Sequence, residues 1–206
     1  MCSMNTDYAF EGFLTNLGKY NEGMLIGQWV HFPCTAEDLR KALDDIGINE
    51  QYEEYFMTDY DSDLYGLTDL LDEYTPLQTL NLLAYKIMMM DDTDPLEAAL
   101  ELGECTSNIN EVVAVIDNPD CITIYPDVDD AYDLGYNMAD ECGLLRDIED
   151  SPLVDYIDFE SYGRDIILEE GGTFTSNGYA CMTDWPTVYP LDYDELPTEY
   201  ILYPAA

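Results

Sequence analysis

The sequence predicts an α+β protein, an elongated chain of three small subdomains: an α+β unit, a helical middle and a second α+β unit. Three observations predict it. Short stretches rich in β-branched and aromatic residues, bounded by turn formers, stand towards both ends of the chain. Between them, apolar residues recur at helical spacing behind clear start signals. And no carboxylate occurs between Tyr74 and Met90, while nine lie between Asp91 and Asp120, so charge is kept off a core helix and placed on the elements around it.

Residues 1–12 read as an N-terminal extension. The first α+β unit, residues 13–62, opens with FLTNL from Phe13 and MLIGQWVHF from Met24 as strands around the turn KYNEG. Thr35 is placed to cap the helix AEDLRKALDDI, with Asp38 three residues on and Gly47 to close it. YEEYFMTDY from Tyr52 is the third strand. The helical middle, residues 63–120, has Thr75, Pro76 and Gln78 opening PLQTLNLLAYKIMMM, apolar around most of its circumference and therefore buried. Met88 to Met90 belong to that core rather than to a binding face. Asp94, Pro95 and Glu97 open a helix that stops at Gly103, and NINEVVAVIDN is a shorter one. In the second α+β unit, residues 121–182, CITIY is a strand and DVDDAYDLGYNMADEC a helix ending at Gly143. Ala131, Leu134, Met138 and Cys142 fall on one face of that helix, and Asp129, Asp133 and Asp140 on another. Ser151 and Pro152 start a further helical turn, DFESYGRDIILEEGG follows, and TFTSNGYACM is a hairpin turning at Asn177-Gly178. Residues 183–206 are a Pro/Tyr-rich tail, extended and either mobile or laid along the surface.

Forty-five Asp and Glu stand against six Lys and Arg, a net charge of −39 over 206 residues. Such a chain avoids nucleic acid and anionic membranes, and its partners are basic surfaces. It is no disordered acidic tail, because hydrophobic content is 47% and eighteen tyrosines are present. The start MCSMNTDYAFEG has neither a basic nor an apolar signal region, and the apolar runs are too short to span a bilayer. Six cysteines without a C-x-x-C pair read as reduced thiols. The cytoplasm is the expected compartment.

The densest anion run is Tyr52 to Tyr74, with eight carboxylates, five tyrosines and no basic residue. Asp59 to Leu70 resembles a calcium-binding loop at positions one, three and five, then fails, with Gly66 at position eight and Leu70 where the bidentate glutamate belongs. The single histidine, His31, sits in a strand and is read as packing. Nucleophile elbows, phosphate-binding glycine loops and a second histidine for a triad are all missing from the sequence. No enzymatic activity, cofactor or metal is expected. The alternative readings are a salt-adapted acidic protein and a calcium- or basic-protein-binding module.

The magnitude of the charge points further. Duplex DNA carries one phosphate per ~1.7 Å of axis, so 39 charges correspond to roughly 66 Å, about 20 base pairs. A compact globule of this length is only ~43 Å across. Matching the charge density of DNA therefore calls for an elongated molecule, and a two-fold dimer would extend the match to about 40 base pairs. The carboxylates proposed to face a partner are Asp59, Asp61, Asp63, Asp69, Asp72 and Glu73 in the dense run and Asp91 and Asp92 in the middle. In the last third they are Asp127, Asp129, Asp130, Asp133, Asp140, Asp155 and Asp158.

NLGKYNEG at Asn16, followed by IGQWVHFP, YEEYFMTDYD, DYIDFESYGRDI at Asp155 and GTF at Gly172, resembles the ArdA-type antirestriction proteins in motif and in order over about residues 13–178. These are DNA mimics carried by mobile genetic elements. The resemblance implies an elongated three-domain protein, a homodimer formed through the C-terminal domain, and binding in the DNA groove of type I restriction-modification enzymes. It brings no catalytic residue, and it adds weight to Asp59, Asp61, Asp155, Asp158 and Asp165.

Overall fold

A computed structural model describes residues 8–146 and 151–202. The first sheet holds β1 (Phe10–Asn16), β2 (Gly27–Phe32) and β3 (Tyr55–Asp61), antiparallel in the order β2-β1-β3. β1 starts at Phe10, three residues before the regular pattern begins, because Glu11 and Gly12 hide the alternation. Phe10 is fully buried, while Glu11 turns outward to meet His31 at 2.9 Å. Residues 1–7 of the predicted extension, including Cys2, lie outside the described residues. Met24 to Ile26 are exposed loop rather than strand, and KYNEG is mostly a short helix, α1 (Leu17–Asn21). Asn16 explains that helix. Its buried side-chain oxygen accepts the Lys19 N–H at 3.0 Å, and its amide donates to the carbonyls of Ile46 and Gly47. One side chain thus joins the end of β1, the start of α1 and the end of α2 (Ala36–Asp45). Thr35 caps α2 as expected, accepting the Asp38 N–H at 3.1 Å.

α3 (Leu77–Met88), α4 (Asp94–Leu102) and α5 (Ile109–Asp117) form the middle. Pro76 precedes α3, Gly103 ends α4 in the left-handed conformation at φ 71°, and Asn108 caps α5. One apolar cluster runs from Phe10, Leu14 and Phe32 through Leu67, Leu80 and Leu83 to Val112. The core of the first sheet is therefore continuous with that of the middle helices, across the boundary read at residues 62 and 63.

β4 (Ile122–Tyr125), β5 (Thr173–Thr175) and β6 (Gly178–Met182) make a second antiparallel sheet in the order β4-β6-β5. It packs on α4 and α5 through Ala98, Ala99, Val115, Ile122 and Ala180. The hairpin turn is Ser176-Asn177, one residue earlier than predicted, because Thr175 pairs with Gly178 and its hydroxyl closes the loop. α6 (Ala131–Glu141) and α7 (Phe159–Glu170) cover the sheet through Leu134 and Ile166. On α6, Leu134, Gly135 and Ala139 are buried, whereas Cys142 is exposed at the helix end. The turn expected near Ser151 is a single 3₁₀ turn, Val154–Tyr156.

The described residues thus form a mixed α+β fold with seven α-helices and two small antiparallel sheets. None of the described helices is long and apolar enough to cross a membrane. The tail is packed: its 3₁₀ turns Tyr193–Glu195 and Thr198–Tyr200 lie against the body, with Leu196 and Leu202 buried.

Candidate partner-binding surface

Leucine anchors fold the dense anion run despite its self-repulsion. Leu64, Leu67 and Leu71 are buried, and Asp63, Asp69, Asp72 and Glu73 stand exposed beside and between them. Met57 donates its N–H to the Glu73 carbonyl at 2.9 Å, and the Tyr60 hydroxyl donates to the Asp72 carbonyl at 2.9 Å. Burial and the nearby Asp72 charge push the Tyr60 hydroxyl well above its ordinary pKa. Tyr60 faces Gly12 across the sheet, so Asp59 and Asp61 flank it outward on β3, ~6.7 Å apart by strand rise.

Asp59 and Asp61 therefore lie on a strand, and the calcium-loop resemblance is not matched by a loop. Among the described residues, no group of three or more His, Cys, Asp or Glu is placed to hold a metal ion.

Several predicted carboxylates also cap structure. Asp72 accepts the Tyr74 N–H at 2.9 Å and Asp92 accepts the Asp94 N–H at 3.1 Å. Asp130 caps α6, accepting N–H groups from Tyr132 and Asp133. Asp158 caps α7: the Ser161 N–H and hydroxyl donate to it, and these bonds, led by the backbone one, hold its carboxyl below the usual range. Caps and short turns hold these anions in fixed positions.

Asp59, Asp61, Asp63, Asp69, Asp72, Glu73, Asp91 and Asp92 are exposed, as are Asp127, Asp129, Asp130, Asp140, Asp155 and Asp158. Asp133 is half-buried. Among the described residues none of these fifteen forms an ion pair with Lys, Arg or His. Three of the cations are held elsewhere. Lys86 is buried between Asp117 and Glu195, and Lys19 lies 5.5 Å from the centre of the Tyr52 ring. Arg164 pairs with Glu160, one turn back, rather than with its neighbour Asp165, which is exposed.

His31 is not a core residue. It is exposed on β2, stacked 4.0 Å from Tyr8 and bonded to Glu11. Cys34, Cys105, Cys121, Cys142 and Cys181 are free, and burial pushes the Cys34 thiol up to about 12. Sequence reasoning missed Glu11, which lies in register with Asp61 and extends the β3 acids across the sheet. Its signal was the strand period, masked by the early start of β1. It also left aside the tail carboxylates, although Asp184, Asp192, Asp194, Glu195 and Glu199 are all exposed.

The sequence profile of the family described as Antirestriction protein (ArdA) matches residues 13–181, from β1 to β6. The chain belongs to that family. No curated protein matches it.

Proposed function

From that membership we propose that the chain is an acidic DNA mimic that occupies the DNA-binding groove of type I restriction-modification enzymes. One observation carries the proposal: fifteen carboxylates chosen for their anionic pattern are outward or half-outward and unpaired with any cation among the described residues, and several of them are held by anchors and caps. Fixed anions spare an enzyme the cost of ordering them on binding. The elongated arrangement in three units is part of the proposal. It is supported by the serial packing of first sheet, middle helices, second sheet and the α6/α7 pair. Dimerisation, as the resemblance implies, would double the length of the mimic.

DNA enzymes take affinity and position from phosphate contacts and sequence from base edges. A surface of carboxylates offers only the first. The protein therefore inhibits type I enzymes of different recognition sequence alike, with dissociation constants that agree within about threefold at one ionic strength. Competition binding against DNA over a panel of such enzymes measures this. Inhibition that follows the recognition sequence, or that leaves DNA binding intact while cleavage stops, overturns the mechanism.

The charge is shared, so no single acid is indispensable. Asp61→Asn alone weakens binding about 3- to 5-fold, as one lost phosphate contact does. Neutralising Asp59, Asp61 and Asp63 together weakens it roughly 30- to 100-fold, with β3 still folded. If one exposed acid removed all activity without unfolding the chain, a localised site would replace the distributed one.

A further inference from the structure

We infer that residues 184–202 are an intramolecular strap, latched by Lys86, that closes over α3 against the electrostatic repulsion of the rest of the chain. The segment lies beyond the family match, which ends at residue 181. It leaves β6 where Thr183 donates its N–H to the Cys121 carbonyl at 2.8 Å, then crosses back to the first half of the molecule. There it is held along the length of α3. Leu202 donates its N–H to the Gln78 side chain at 2.6 Å, and the Tyr193 and Thr79 hydroxyls meet at 2.9 Å. Asn81, fully buried, donates to the Tyr200 carbonyl at 2.7 Å while bonding both backbone groups of Cys34. One side chain so joins the strap, α3 and the segment after β2.

The latch is the Lys86 ammonium, 2.5 Å from Glu195 of the strap and 2.7 Å from Asp117 of α5. Lys86 is the only buried Lys, Arg, Asp or Glu among the described residues. A lone buried ammonium is unfavourable without partners, so the strap and α5 satisfy it together. Burial alone would lower its pKa. The hydrogen bonds and charges of Asp117 and Glu195 outweigh that and raise it.

Opposed to these contacts is charge. The strap carries five carboxylates and no basic residue, on a chain of net −39. Long-range repulsion between strap and body is screened by salt, whereas the close contacts of the buried Lys86 ammonium are screened much less. The strap therefore opens first at low ionic strength and closes as salt rises. Closing pins α3, whose core faces the first sheet, to the segment leading from the second. Its effect is to fix how the two ends of the molecule are held relative to each other.

Hydrogen exchange followed by mass spectrometry on the full chain tests this. In wild type, amides of residues 193–202 are protected at 0.15 M salt and lose protection towards 0.01 M, where the Debye length grows from ~8 to ~30 Å. Glu195→Gln and Lys86→Met each speed exchange of that peptide about tenfold or more at 0.15 M salt, the loss of a charge-assisted hydrogen bond. Exchange in β1 stays as in wild type. Glu195→Gln decides the matter if Lys86→Met fails to fold, since it removes charge from an exposed strap residue. Tail amides equally protected in wild type and Glu195→Gln, or protection indifferent to salt over this range, overturn the latch. Tail amides that exchange freely in wild type at 0.15 M overturn the strap itself.

Discussion

Replacing Gly163 with alanine separates α6 from α7 and destabilises the C-terminal half of the chain by about 3 kcal/mol or more. A Cβ on Gly163 would stand 1.8 Å from the Ala131 carbonyl oxygen, and one on Gly135 would stand 2.0 Å from that of Phe159. Both obstacles are backbone, so no rotamer change relieves them. The helices must move apart, and the contacts of Leu134 and Ile166 with Tyr179 loosen with them. A chain of this size loses roughly 6–12 °C of melting temperature for that cost. Gly171→Ala is the control. It has nothing within 4 Å of its Cβ position and only a left-handed backbone at φ 69°, so it should cost about 1 kcal/mol. A melting temperature for Gly163→Ala within about 2 °C of wild type would show that the two helices do not approach as closely as described.

Raising salt from 0.01 to 0.15 M stabilises the protein, while on the proposed mechanism salt raised from 0.05 to 0.2 M sharply weakens its hold on a type I enzyme. Stability rises because the repulsion is between exposed like charges, screened as the Debye length falls from ~30 to ~8 Å. On that mechanism affinity moves the other way, because ions gathered on the acidic surface and on the enzyme's basic groove are released when the two meet. Six or more charge contacts imply a loss of about 10³-fold between 0.05 and 0.2 M if the slope resembles that for DNA. Melting curves and equilibrium titrations over one salt series read both signs. A flat melting temperature would mean that the carboxylates are already well separated. Affinity that held up through that range would mean the complex is not governed by charge. A need for molar salt to fold would instead favour the salt-adapted reading.

Local signals were legible in the sequence where the physics is local. Thr35, Pro76 and Gly103 act within one turn of their own positions, so their spacing alone located α2, α3 and the end of α4. Asp59 could be placed on a strand, because alternation is visible over a few residues, whereas Asp61 lay just past the predicted strand end. Asn81 and Lys86 were not legible. Each reads as an interruption in an apolar helix, and the partners that justify them lie 47 and 119 residues away for Asn81 and 31 residues away, at Asp117, for Lys86. The tail remained open for the same reason: its proline-rich stretch lacks a period, and what orders it is a surface formed by another part of the chain. Gly163 was visible as part of a motif. Its reason, a backbone crossing with Ala131, needed the second helix in place.

β3 lies at the margin of its sheet, and there the acids have a consequence unrelated to any enzyme. An unprotected marginal strand is a template for another copy, and stacking of such strands is a route to aggregation. Met57 has its outer N–H taken by Glu73, and the register shifts where Thr58 and Asp59 oppose Phe13, which bends the strand out of a flat ladder. Asp59 and Asp61 then place like charges where a second β3 would have to lie, so two copies repel before they can pair. A segment with five tyrosines and three buried leucines is in this way kept from seeding fibres by the same side chains that make it anionic.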